Sequence, residues 1–207
     1  MATLKDIESL MTLADKLFHY KFNLSYAYSF FALSSIFAGG FLLLIATGLI
    51  ENPYFRGIGI IVFVVVGVAV LHIVFLETFK KAKQKKFEGA CWMLSFFIPY
   101  AIIFPLAGAL DSPAIFFTSG FLWYIALGIA LSLVAILVED WYVKMKMLFA
   151  RPFLITGSII ILTSPLLLIV ERFSYEHSGN VLGIGLMLLA FFATGSWTLV
   201  KAENVFR

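Results

Sequence analysis

The chain has 207 residues, of which 62% are apolar and only 13% charged, and its formal net charge is +3 at pH 7. Several runs of more than 20 residues contain no Asp, Glu, Lys or Arg, a composition that excludes water-soluble globular domains and fits multi-pass membrane proteins. The single cysteine, Cys91, excludes an intramolecular disulfide and a cysteine-only metal cluster.

In chain order, residues 1–22 come first, and they read as neither signal peptide nor span. Asp6, Glu8 and Asp15 stand where a signal sequence would be apolar, and no small-residue cleavage site follows. Leu4, Ile7, Met11, Ala14 and Phe18 recur at helical spacing, and Thr3 with Asp6 fits a capping box. The expectation is an amphipathic interfacial helix on the cytoplasmic leaflet, or a tail that orders only against a partner. Residues 23–207 then hold six apolar stretches, at roughly 24–50, 57–78, 90–110, 113–138, 152–170 and 181–200. Each suffices to cross a hydrocarbon core of about 30 Å at about 1.5 Å per residue. Backbone amides facing lipid must be satisfied within their own segment, and no barrel-like alternation is present, so all six are expected to be helices.

The basic residues set the expected orientation. Lys5, Lys16 and Lys21 precede the first span, and Lys80, Lys81, Lys83, Lys85 and Lys86 join the second to the third. Lys144, Lys146 and Arg151 join the fourth to the fifth, and Lys201 and Arg207 follow the sixth. Only Arg56 and Arg172, of 15 cations, fall in the other loops. The positive-inside rule makes the lysine-rich side cytoplasmic, with both termini there and the protein in the cell membrane.

A repeat underlies the six spans. Glu51, Asp111 and Glu171 are 60 residues apart, and each closes an apolar run. Pro105 and Pro165 keep the same offset, as do Gly48 and Gly108. Glu77, Glu139 and Glu203 mark the ends of the even-numbered spans. The reading is an all-α fold of three helical hairpins in parallel topology, over about 23–81, 82–145 and 146–207.

The pattern Gly39-Gly40-Phe41-Leu42-Leu43-Leu44, Gly48-Leu49-Ile50-Glu51-Asn52-Pro53, Gly57-Ile58-Gly59-Ile60-Ile61 and Gly67, echoed by Gly108-Ala109-Leu110-Asp111-Ser112-Pro113, resembles the small six-helix HdeD-type acid-resistance membrane proteins. The likeness rests on Gly, Pro and apolar spacing and spans the membrane part. The third repeat departs from it, with Arg172-Phe173-Ser174 in place of the proline turn, and the 80–86 lysine cluster is foreign to it. The resemblance implies a compact six-helix membrane fold and no particular chemistry.

Few side chains offer chemistry. His72 is the one ionisable residue clearly inside a span, and such residues are costly there. A neutral, hydrogen-bonded imidazole accounts for it. It is a remote cofactor-binding candidate, because His19 and His177 lie outside the spans on opposite sides. A His72–Cys91 pair lacks a third orienting group, so no catalytic residue, cofactor or metal site is expected. The lysine cluster Lys80, Lys81, Lys83, Lys85 and Lys86 suits anionic lipid, although fixing topology explains it equally. Glu77, Glu139 and Glu203 would form a cytoplasmic carboxylate ring if the hairpins pack with threefold pseudosymmetry. The plainer expectation pairs Glu77 with Lys80 or Lys81 and Glu139 with Lys144.

Transport needs a polar path, and the midplane offers only hydroxyls such as Ser34, Ser35, Ser95, Thr163, Ser164, Ser196 and Thr198. The 23 Phe, 8 Tyr and 4 Trp suit a bundle core, lipid contact and aromatic belts, without a cofactor motif. The expected protein is therefore a non-enzymatic accessory subunit or scaffold of a larger membrane complex, or a stress-related bilayer protein. A small channel or carrier with a pseudo-threefold pore is the alternative. Its expected partners are the bilayer and other membrane subunits or further copies of itself, not nucleic acid.

Overall fold

The computed structural model describes residues 4–48, 87–109, 119–173 and 178–204, together with residues 61, 62, 65, 66, 69 and 73. The described residues form helices and short turns, with no strand among them. They comprise α1 (Leu4–Gly48), α2 (Glu88–Ala109), α3 (Ser119–Val134), a π-helical turn (Ala135–Glu139), α4 (Asp140–Lys144), α5 (Pro152–Phe173) and α6 (Ser178–Glu203). Among the described residues, three helical stretches are long and apolar enough to cross a membrane: Leu122–Lys144, Pro152–Val170 and Gly179–Glu203. Glu88–Ile103 adds a shorter apolar stretch. In the expected second span, Ile61, Val62, Val65, Val66, Ala69 and Ile73 are helical and exposed.

α1 runs for 45 residues without a break at the boundary expected near residue 22. No Gly or Pro occurs between Leu4 and Gly39, so the sequence supplies none of the usual causes of a kink. At about 1.5 Å per residue such a helix reaches about 68 Å, twice the thickness of a hydrocarbon core. Its two halves differ in packing. Leu10, Met11, Leu13 and Leu17 are exposed, whereas between residues 18 and 42 the exposed residues, among the described side chains, are Lys21, Tyr28, Ser35 and Leu42. That seven-residue interval is a narrow stripe on one side of an otherwise covered helix.

The helices form a chain of neighbours: α1 lies along α6, α6 along α5, α5 along α3 and α3 along α2. The α3 and α5 backbones approach closely where Gly128 meets Gly157. A Cβ on Gly157 would lie 2.7 Å from the Gly128 carbonyl oxygen and 3.0 Å from the Ser132 backbone nitrogen. Small residues let helix backbones approach in this way where no hydrophobic force drives association. Rings fill the space beside that contact. Phe153 of α5 lies 4.7 Å from Phe30 and 5.9 Å from Tyr26 of α1, and 5.1 Å from Trp92 of α2, between ring centroids.

Proline leaves a gap in the α5 hydrogen-bond ladder that a neighbour closes. Pro165 cannot donate to the Ile161 carbonyl four residues earlier. The Ser164 hydroxyl donates to that carbonyl instead, at 2.7 Å. The sequence places Ser164 among possible pore-lining hydroxyls; in the structure it is 4% exposed and serves its own helix.

After α4 the chain reverses with Lys146 at φ 57°, while the amides of Met145 and Met147 bond to the carbonyls of Trp141 and Tyr142. A residue with a Cβ is strained in this left-handed region, which glycine adopts freely. Lys146→Gly is therefore expected to raise stability by about 0.5–1 kcal/mol, read as a higher midpoint for thermal loss of the folded protein in detergent.

Candidate functional site

The buried polar groups gather where α4 turns into α5. Pro152 opens α5 at the first helical position, where its missing N–H costs nothing. Arg151 supplies the first carbonyl of the helix, accepting from Ile155 N–H at 3.1 Å. Its side chain has no oxygen to cap the next free amides, and Ala150 has none either. The cap comes from another helix. The Glu139 carboxylate accepts Phe153 N–H at 2.8 Å and Leu154 N–H at 3.4 Å. Tyr26 of α1 donates its hydroxyl to the same carboxylate at 3.2 Å.

The π turn allows this. Ala135–Glu139 inserts one extra residue into the helical register, and such single turns recur at sites that must re-aim a side chain. Ala135, Val138 and Glu139 all face inward, and Glu139 is 0% exposed. The next acid, Asp140, is only partly buried and pairs with both Lys144 and Arg151. The two adjacent acids thus divide the work: one caps a helix inside the bundle, and the other holds the cations at its rim.

Two further ties close the same end. Asn23, 1% exposed, donates to the His19 carbonyl at 2.8 Å and the Met147 carbonyl at 2.9 Å, and accepts Phe149 N–H at 3.2 Å. Tyr142 donates its hydroxyl to Glu88 at 2.7 Å, joining α4 to the start of α2. Together these bonds fasten α1, α2, α4 and α5 to one another, while two buried ring nitrogens at the same end, His19 Nδ1 and Trp141 Nε1, have no hydrogen-bond partner among the described residues. Deeper in the bundle the hydroxyls are similarly engaged. Tyr124 and Thr163 lie 2.8 Å apart, and the Thr156 hydroxyl lies 2.9 Å from both the Thr194 hydroxyl and the Pro152 carbonyl.

The expected Glu139–Lys144 pair is replaced by Asp140–Lys144, because the π turn carries Glu139 to the inner face. Glu203, the third acid of the supposed ring, is exposed at the end of α6. Cys91 is half-buried, and its carbonyl accepts the Ser95 hydroxyl at 2.7 Å. Glu77, His72 and the cluster Lys80, Lys81, Lys83, Lys85 and Lys86 lie outside the described residues, as do Thr3 of the capping box and the acids Glu51 and Asp111 of the outer turns. Among the described residues, no group of three or more His, Cys, Asp and Glu is placed to hold a metal ion.

Tyr26 and Asn23 carry the site from α1, and sequence reading singles out neither. A signal for the missing cap was present: Ala150-Arg151-Pro152 announces a helix start without a capping side chain, twelve residues after an acid inside an apolar run. Thr156→Val tests the smaller ties. It is expected to cost about 0.6 kcal/mol, the usual size of a side-chain hydrogen bond between membrane helices, measured as a small drop in thermal midpoint.

Comparison of the chain with protein-family models, with curated proteins and with solved structures finds no match in any of the three.

Proposed function

We propose that the protein is a multi-pass component of the cell membrane without catalytic activity, acting as an accessory subunit or scaffold that packs against other membrane helices. One observation carries this reading: polar groups are turned inward onto one another, while the outward faces are large and apolar. Leu162 is 78% exposed on α5, Leu189 65% on α6 and Met93 76% on α2. Surfaces of this kind meet lipid tails or neighbouring helices. Six spans in three hairpins, with both termini cytoplasmic, remain the topology that the lysine distribution favours. The resemblance of the glycine-rich turns to HdeD-type proteins suits a stress-related bilayer protein as a variant of the same reading.

The channel or carrier alternative draws less support. Hydroxyls that would line a path are spent on helix backbone: Ser35 on the Phe31 carbonyl, Ser95 on Cys91, Ser164 on Ile161 and Thr198 on Thr194. Extraction in a mild detergent followed by native mass measurement tests the proposal. A complex larger than the 23.1 kDa chain, with other membrane proteins in fixed ratio, is the expected result. A bare monomer that restores ion or solute flux in liposomes would overturn it.

A further inference from the structure

Glu139 stands apart from the hydroxyls and amides around it. It is a carboxyl group with no exposed surface, near the end of a stretch long and apolar enough to cross a bilayer. Ionisable groups so placed are costly, and in membrane proteins they commonly take up and release protons. Two tendencies meet at this one. The positive end of α5 and the donors Tyr26, Phe153 and Leu154 suit the ionised form. Exclusion of water from this fully buried carboxyl opposes a charge.

The geometry points to Glu139 as a proton-binding site whose loading loosens the tie between α1 and the start of α5. Its bonds to Tyr26, Phe153 and Leu154 are all accepted bonds, so a proton changes their balance. The proton, drawn from water, adds to Oε2, whose contact from Leu154 N–H is the longest at 3.4 Å. That amide then faces an O–H group instead of an acceptor. Oε1, now part of a neutral acid, holds Tyr26 and Phe153 more weakly. The site sits in a π turn, an element frequent at functional sites.

The charged and titratable neighbours are accounted for on each packed element. α1 brings Tyr26, with His19 about two turns earlier beside Asp15. α2 brings Glu88, held by Tyr142 of α4. α4 also brings Asp140 and Lys144, and Arg151 at the entrance to α5 pairs with Asp140. Lys201 and Glu203 of α6 are exposed at its end, and the fully buried polar side chains of that helix are the neutral Thr194 and Thr198. The proton site is the same whether the chain serves as a subunit or a free-standing bilayer protein.

Infrared difference spectra of the full chain in lipid nanodiscs, recorded on acidification, test it alongside hydrogen exchange of residues 18–30. The expected result is a carboxylic C=O band absent from Glu139→Gln. Exchange in α1, corrected for its intrinsic pH dependence, should rise about tenfold at the midpoint of that band. Tyr26→Phe keeps the carboxyl and removes one donor to the ionised form, so the midpoint should move to higher pH. That arm serves if the Gln variant fails to fold. A spectrum with no band that responds to either substitution overturns the proposal, as does a titrating band with unchanged α1 exchange.

Discussion

Glu139→Leu is expected to destabilise the folded protein by about 2–4 kcal/mol. The substitution is close in size and suits apolar surroundings, yet it leaves Phe153 N–H, Leu154 N–H and the Tyr26 hydroxyl without their acceptor. Each orphaned buried donor costs about 1–3 kcal/mol, and a lost helix cap about 1 kcal/mol. Measured values between membrane helices run lower, which sets the lower bound. Glu139→Gln keeps an acceptor oxygen for Tyr26 and Phe153 and should cost about half as much. The readout is the thermal midpoint for loss of the monodisperse peak in detergent. Equal midpoints for the wild type and the Leu variant would show that the capping bonds contribute nothing to stability.

Gly157→Ala is expected to cost about 1–3 kcal/mol despite alanine's better helix propensity. The added methyl would lie 2.6 Å from Ser132 Oγ, 2.7 Å from Gly128 O and 3.0 Å from Ser132 N. Two of those three atoms are backbone and cannot swing aside, so α3 and α5 must separate. Gly157→Leu should abolish folding altogether. Gly185→Ala is the control, because nothing lies within 4 Å of its added Cβ. There the change should be neutral or mildly stabilising, by up to about 1 kcal/mol. A Gly157→Ala protein as stable as the Gly185→Ala protein would refute the close α3–α5 contact.

The sequence made the helices easy to read, because unbroken apolar runs leave the backbone no other means of satisfying its amides. The length of α1 was also legible in principle: nothing between Leu4 and Gly39 breaks a helix, although the charges before residue 22 suggested a separate surface segment. The candidate site was harder. In a helix apolar all round, such as Leu122–Val138, periodicity carries no information, so one inserted residue at the π turn leaves no trace in the pattern. Glu139 and Asp140 then look interchangeable, and helix-end spacing assigns Lys144 to the wrong one. Asn23 and Tyr26 stayed hidden for a related reason. Their partners outside α1 lie 113–126 residues away, and nothing local marks such contacts.

Everything proposed for this protein requires that lipid surround the bundle and that the turn between α4 and α5 face the cytoplasm. Cysteine accessibility in intact cells tests this most directly, starting from a Cys91→Ser background and adding Ser112→Cys or Met145→Cys. A membrane-impermeant maleimide should label position 112 from outside, and position 145 only after the membrane is opened. Labelling of both positions from the same side would contradict the account.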